Sequence, residues 1–352
     1  MTLGDLLNDL KENESVDIFN CAELSDILSS NSFNSESAKY KNLISSIDDQ
    51  GTSKRIIKAK PTMLKQLDKL CQKMPNFSEA IEFIKIYVGL ALVTPGMEIN
   101  IPSIALSGSA GVGKTFFLQN VAEILGLTTN FVSCASVTSD FHLTGTARGY
   151  SNAVVGKIAQ HYMNDGEANP LFILDEFDKP KPLPNGDFYG VFYTLLEQSQ
   201  ASSFRDEFLD LGIDASHINW MITCNSIDTI PDPLISRLKV FDIPVADKSQ
   251  IYQIIESIYQ EIHREYKSLR NLIFRSSLTE EELSYLSMHS IRQAKLIMRE
   301  AFARGVLYYL ESKEKHKNDY RKTASRFIAP VFKLSDDLYI EPKKGIGFLA
   351  NI

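Results

Sequence analysis

Gly108-Ser109-Ala110-Gly111-Val112-Gly113-Lys114-Thr115 is the stretch whose reading decides the fold. It fits the phosphate-binding pattern G-x-x-x-x-G-K-[ST]. Roughly one random chain in a hundred of this length would carry such a match, so its surroundings decide its meaning. Before it runs Ile104-Ala105-Leu106, a short apolar stretch of the kind that makes a buried strand. After it, Phe117, Leu118, Val121, Ile124 and Leu125 recur at helical spacing until Gly126 stops them. Strand, glycine loop and helix is the context the motif requires. The glycines let backbone N–H groups turn inward around a phosphate, and the helix N-terminus adds its positive end. On this reading residues 108–113 cradle the phosphates of ATP. Lys114 reaches the β and γ phosphates, and the Thr115 hydroxyl holds Mg²⁺. The plainer alternative is a glycine-rich turn before a core helix.

The totals narrow the class. A chain of 352 residues can hold one large α/β domain and a smaller one, and 44% apolar residues can fill a sizeable core. A formal net charge of −7 argues against a general grip on nucleic-acid phosphates, which needs clustered positive charge. Cys21, Cys71, Cys134 and Cys224 lie far apart with no CxxC or zinc spacing, so reduced core thiols are expected. No basic region followed by an apolar run opens the chain, and the apolar stretch Ile84 to Pro95 is too short to span a membrane. A cytoplasmic protein without membrane contact is the expectation.

Along the chain, residues 1–60 differ from the rest. Leu3, Leu6, Leu7 and Leu10 suggest a turn or two of amphipathic helix, and Ser and Asn crowd together from Ser25 to Ser46. This composition predicts an arm or small helical adaptor, partly mobile. Helices are expected from Pro61 and over Ser78 to Leu92. Further strands are expected at Asn130 to Cys134, Leu171 to Leu174, Trp220 to Thr223 and Val240 to Pro244, with helices at Val154 to Met163 and Phe188 to Gln198. After Val245 an all-helical module is expected: Ile251 to Tyr266, a helix capped by Thr279 and Glu282, and another capped by Ser290 and Gln293. The charged stretch Glu311 to Arg326 reads as a solvated face, and an apolar tail follows it.

Asp175-Glu176 ends an apolar strand downstream of the phosphate loop, at the edge where open α/β sheets bind ligands. That placement predicts hydrolysis: Asp175 holds Mg²⁺ through water, and Glu176 polarises the attacking water as general base. Asn225 ends the next apolar strand, where an amide can hold the water near the γ-phosphate. Arg237 closes a short helix opened by Pro231-Asp232-Pro233 and is a candidate for a cation supplied in trans. Arg292, in the first turn after the Ser290 cap, is a candidate to couple the helical module to the nucleotide.

This order of parts resembles the AAA+ ATPases, and in detail the ATPase module of Lon proteases. Leu174-Asp175-Glu176-Phe177-Asp178-Lys179 is similar to the Lon LDEIDK segment, and Ser203 to Asp210 to the stretch before the Asn strand there. Asn225 to Leu238 follows the family's NS-LDTIPAPLLDRM pattern nearly residue for residue. The resemblance covers about residues 75 to 310. It implies sensor-1, arginine-finger and sensor-2 roles for Asn225, Arg237 and Arg292. Gly145 to Gly156 resembles the loop that lines the central pore, so Tyr150 matches the aromatic that grips a threaded polypeptide. Three departures stand out. Ser109-Ala110 replace two prolines, and Ser151-Asn152 replace an aliphatic residue and a glycine beside Tyr150. The stretch after the lid leaves no room for the Lon peptidase domain with its Ser-Lys pair, and the large N-terminal substrate domain has no counterpart, so an ATPase without protease activity is expected.

The resulting expectation is a P-loop α/β domain over residues 61–246 with parallel strand order 5-1-4-3-2. A helical lid over 247–328 and a tail over 329–352 follow it. The resemblance implies a homo-oligomeric ring, a hexamer, that uses ATP and Mg²⁺ to remodel or thread a protein substrate for a separate partner. The alternative is a nucleotide-controlled assembly switch that recruits or licenses an effector without threading anything.

Overall fold

The computed structural model describes residues 15–94, 96–136, 141–150, 153–180, 187–266, 272–273, 277–315 and 327–328. The expected features at Leu3 to Leu10, Ser151-Asn152 and the tail 329–352 lie outside these residues, as do 181–186 and most of the charged stretch 311–326. The chain divides into two compact units, residues 1–72 with 76–245 and residues 73–75 with 246–352.

Residues 15–60, expected as a partly mobile arm or adaptor, instead fold into the first unit. β1 (Ser15–Asp17) pairs antiparallel with β2 (Ser53–Arg55), and α1 (Cys21–Ser29) and α2 (Ala38–Gln50) come between them in sequence. Ile18, Phe19, Leu24, Tyr40, Ile44 and Ile47 belong to the same apolar core as the central sheet. Some of the Ser and Asn residues of this segment are cappers and turn closers. Asn20 Oδ1 accepts the N–H groups of Ala22 and Glu23 at 3.1 and 3.2 Å, and Ser37 accepts that of Tyr40 at 3.3 Å. Such side chains compete with the backbone in helix interiors and favour helix ends. Their density here marks short helices.

α3 (Pro61–Lys73) buries Met63, Leu67 and Leu70, and α4 (Ser78–Val93) buries Ile81, Ile84 and Val88. The central sheet follows. β3 (Ile104–Ser107), β4 (Thr129–Ser133) and β5 (Leu171–Asp175) precede an antiparallel hairpin of β6 (Phe204–Asp206) and β7 (Leu211–Ile213); β8 (Asn219–Cys224) and β9 (Lys239–Asp242) complete the sheet. All five strands are parallel, in the order β4-β5-β8-β3-β9. Numbered along the chain, that is the expected 5-1-4-3-2. Every residue of β3 and β8, and Leu171 to Leu174 of β5, is buried. Continuous apolar runs of this kind belong to strands covered on both faces. α5 (Lys114–Leu125) leaves β3 through the glycine loop. It ends where Gly126 takes a φ of 66° and gives its N–H to the Ala122 and Glu123 carbonyls.

Two helices differ from expectation. The one expected from Val154, numbered α7 here after a single turn α6 (Phe141–Thr144), spans only Lys157–Met163. The Val154 carbonyl accepts the Thr146 N–H at 2.9 Å and so closes a loop instead. Phe188 to Gln198 splits into single turns α8 (Phe192–Leu195) and α9 (Gln198–Ala201). Asp187 Oδ1 takes the N–H groups of Tyr189 and Gly190, each at 3.0 Å, in a side-chain turn that replaces the first helical turn. α10 (Asp232–Ile235) is the expected short helix.

The second unit contains α11 (Lys248–Tyr266), α12 (Glu280–Ser287) and α13 (Ile291–Lys315) around Ile255, Ile262, Leu286, Ala294 and Met298. Both capping boxes form. Thr279 and Glu282 exchange bonds of 2.7 and 3.3 Å, and Ser290 and Gln293 exchange bonds of 3.2 and 3.3 Å. The expected absence of strands after Val245 does not hold: Leu272–Ile273 and Phe327–Ile328 make a two-residue parallel pair.

Candidate functional site

The loop between β3 and α5 is shaped by its glycines. A Cβ on Gly108 would sit 2.6 Å from the Ile243 carbonyl oxygen. Gly111 and Gly113 adopt φ of 85° and 99°, which side chains disfavour. Among the described residues no protein acceptor takes the N–H groups of Ser109, Ala110, Gly111, Val112 or Gly113. Five donors on a tight turn at a helix N-terminus suit an anion. Lys114 is buried and turns its ammonium back over the loop, donating to the Gly108 and Ser109 carbonyls at 2.5 and 3.0 Å and lying 3.4 Å from Asn225 Oδ1. Burial holds its pKa below the ordinary lysine value, against the pull of Asp178 and Asp175 nearby.

The ends of β5 and β8 close the site. Asp175 Oδ1 accepts two hydroxyls, Thr115 at 2.8 Å and Thr223 at 2.6 Å. Glu176 has a φ of 56°, uncommon for a residue with a side chain. A conformation of that kind costs about 1 kcal/mol or more and collects at functional sites. Its N–H is held by Thr223 Oγ1 at 3.1 Å, and its carboxylate lies 2.7 Å from the Lys179 ammonium. That pair is exposed and screened by solvent, so the carboxylate is free to turn elsewhere. Asp178 Oδ2 accepts the Asn225 N–H at 3.1 Å, while its Oδ1 is buried and without a partner among the described residues.

The structure thus brings together Gly108 to Thr115, Asp175, Glu176 and Asn225 at the C-terminal edge of one sheet. Arg237 stands apart from this group. Its Nε is 3.7 Å from Glu197 Oε2, its guanidinium is 5.7 Å from the Tyr193 ring centre, and its Nη1 is buried with no partner among the described residues. Arg292 is exposed in the first turn of α13, in the other unit. Tyr150 is 65% exposed on a loop between two glycines, Gly145 and Gly156. At the loop base, Asp206 Oδ2 accepts the Gly156 N–H at 2.8 Å and Oδ1 accepts those of Phe208 and Leu209 at 3.0 and 2.9 Å. Burial pushes the Asp206 carboxyl up to about 6 despite these bonds.

Thr223 and Asp178 escape sequence reasoning. Thr223 sits in an apolar strand and reads as filler, yet a lone polar residue beside the strand end was a usable signal. Asp178 is part of the LDEIDK-like segment without a role attached to it.

Oxygen donors of the Thr115 and Asp175 kind suit Mg²⁺, which shares its coordination with substrate phosphates. Among the described residues no cluster of three or more His, Cys, Asp or Glu side chains could hold a metal ion. No helix among the described residues is long and apolar enough to cross a membrane.

Residues 104–245 match the model of the ATPase family associated with various cellular activities (AAA). The Lon protease of Porphyromonas gingivalis is 33% identical over 159 residues, 45% of this chain and 19% of that protein. The Lon protease of Nitrosococcus oceani is 31% identical over 201 residues, 57% of this chain and 26% of that protein. The chain spans about a fifth to a quarter of the length of these curated relatives. The closed-state cryo-EM reconstruction of Hsp104 with ATPγS and FITC casein is similar in fold, with a TM-score of 0.56 at 16% identity, over 71% of this chain and 48% of that one. Over residues 104–245 this chain is therefore similar to the AAA ATPases, and over part of its length to Lon proteases.

Proposed function

We propose that the protein hydrolyses ATP as a subunit of a homo-oligomeric ring, a hexamer in the cytoplasm, and uses that energy to remodel or thread a polypeptide for a separate partner. The observation that carries the proposal is the convergence of Lys114, Thr115, Asp175, Glu176 and Asn225 at one sheet edge around a loop of free N–H groups. Those N–H groups and the Lys114 ammonium bind the phosphates. Thr115 and Asp175 hold Mg²⁺, which when bound offsets the charge on the phosphate oxygens. Glu176 turns from Lys179 to take a proton from the attacking water. Asn225 orients that water, its backbone fixed by Asp178.

Arg237, a partly exposed cation just after α10, takes the role toward a neighbouring subunit's nucleotide, where a cation in trans speeds phosphoryl transfer by roughly a thousand-fold or more. Arg292 reports nucleotide state to the helical unit. The exposure of Tyr150 on a loop anchored at its base supports a contact with polypeptide, since an aromatic ring packs against side chains of any kind. The experiment that tests this reading is ATP turnover with and without an unfolded polypeptide, in wild type and in Tyr150→Ala. The switch reading expects no dependence on Tyr150.

A further inference from the structure

The Tyr150 loop is fastened on both limbs by residues 36–40, which lie outside the stretch that matches the AAA model. On one limb, the Arg148 guanidinium covers the Tyr40 ring at 4.1 Å and lies 3.7 Å from Glu36 Oε1. It also donates to the Phe208 and Leu209 carbonyls at 3.2 and 3.4 Å. A planar guanidinium can serve a ring face, a carboxylate and two carbonyls at once; an ammonium cannot. On the other limb, Lys39 Nζ donates to the Ala153 carbonyl at 2.8 Å and sits 4.9 Å from the Phe208 ring centre.

The clasp itself is fixed. Tyr40 is buried and gives its hydroxyl hydrogen to Leu209 O at 3.0 Å. Ser37 caps α2 at this same point. Tyr150 lies between the two attachments. Its backbone bonds are local, its N–H to Ala147 O and its carbonyl from the Ala153 N–H, each at 3.2 Å.

We propose that Glu36, Lys39 and Tyr40 are positioning residues for Tyr150, a clasp at the start of α2 that grips both limbs of its loop and sets where the ring meets a polypeptide. The inference rests on the reading of Tyr150 as the polypeptide contact. It gives residues 15–60 a function: whatever moves α2 moves the loop.

The test uses the full chain. Chymotrypsin at limiting concentration cleaves after exposed Tyr150, and the rate reports how freely the loop opens. The Glu36→Gln/Lys39→Met double variant should be cut there about five-fold faster, or more, at an unchanged Tm. Tyr40→Phe, which keeps the ring under Arg148, should be cut within about two-fold of wild type. In the double variant the KM for stimulation of ATP hydrolysis by FITC-casein should rise several-fold while the stimulated kcat holds. Wild-type cleavage, or an unchanged KM, overturns the proposal. Faster cleavage in a protein that casein does not stimulate, even as wild type, leaves the clasp standing and removes the polypeptide reading of Tyr150.

Discussion

The Thr223 hydroxyl donates to Asp175 Oδ1 at 2.6 Å and accepts the Glu176 N–H at 3.1 Å. One side chain on β8 therefore fixes both carboxylate residues that end β5. Its acceptance of the Glu176 N–H helps hold that residue at its positive φ, and so sets the direction of the carboxylate assigned to the water.

Thr223→Val keeps the branched shape and removes the hydroxyl. Glu176 N–H then loses its acceptor and Asp175 loses one of two donors. The kcat for ATP should fall about tenfold, equivalent to about 1.4 kcal/mol, with a smaller change in ATP affinity. Steady-state hydrolysis beside equilibrium nucleotide binding separates the two. A loss of affinity as large as the loss of rate would contradict the positioning role.

Glu176→Gln should bind ATP and Mg²⁺ and not turn over, because an amide cannot take the proton. Lys114→Ala should fail at binding, since the ammonium held by the Gly108 and Ser109 carbonyls lies over the loop. Native turnover by Glu176→Gln would sink the assignment of the base.

If Arg237 acts across an interface, the rate per chain should rise with protein concentration. Mixing Arg237→Ala chains with Glu176→Gln chains should restore part of the activity, because some interfaces then join an intact Glu176 to an intact Arg237. Hydrolysis at a concentration-independent rate by a monomer would rule the trans role out.

Asp206 supplies a pH signature. Its folded pKa of about 6 lies above the ordinary 3.8. A raised carboxyl favours the folded state while protonated: the contribution is full below 3.8 and lost as pH rises through about 6. Between about pH 4 and pH 6, wild type should therefore lose up to about 1.4 kcal/mol of stability per pH unit relative to Asp206→Asn. Denaturant melts at intervals of half a pH unit measure this. A constant difference between the two proteins across that window would show that Asp206 titrates normally.

What was legible in the sequence was what backbone constraint writes plainly. Gly111, Gly113 and Gly126 each need a left-handed φ, so loop and helix end could be placed by residue. Leu171 to Leu174 and Trp220 to Ile222 are continuous apolar runs, so the inner strands could be placed too, and the strand order followed from the resemblance. Residues 15–60 were not legible because Asn20 and Ser37 use the same side chains to cap helices that loops use to turn. The Phe188 to Gln198 pattern misled because its aromatics, Phe188 and Phe192, pack against Phe177 from separate turns. Thr223 was hidden because its hydroxyl has meaning only beside Asp175, which is 48 residues away in sequence.

The central claim is that ATP hydrolysis is coupled to a polypeptide held by Tyr150. The direct measurement is the ratio of ATP hydrolysis rates with and without saturating FITC-casein, for wild type and Tyr150→Ala side by side. The account predicts a ratio clearly above one for wild type and a ratio of about one for Tyr150→Ala, since the ring is the proposed grip. Equal ratios in the two proteins would contradict it, and a silent Tyr150→Ala in the cell would favour a nucleotide switch that threads nothing.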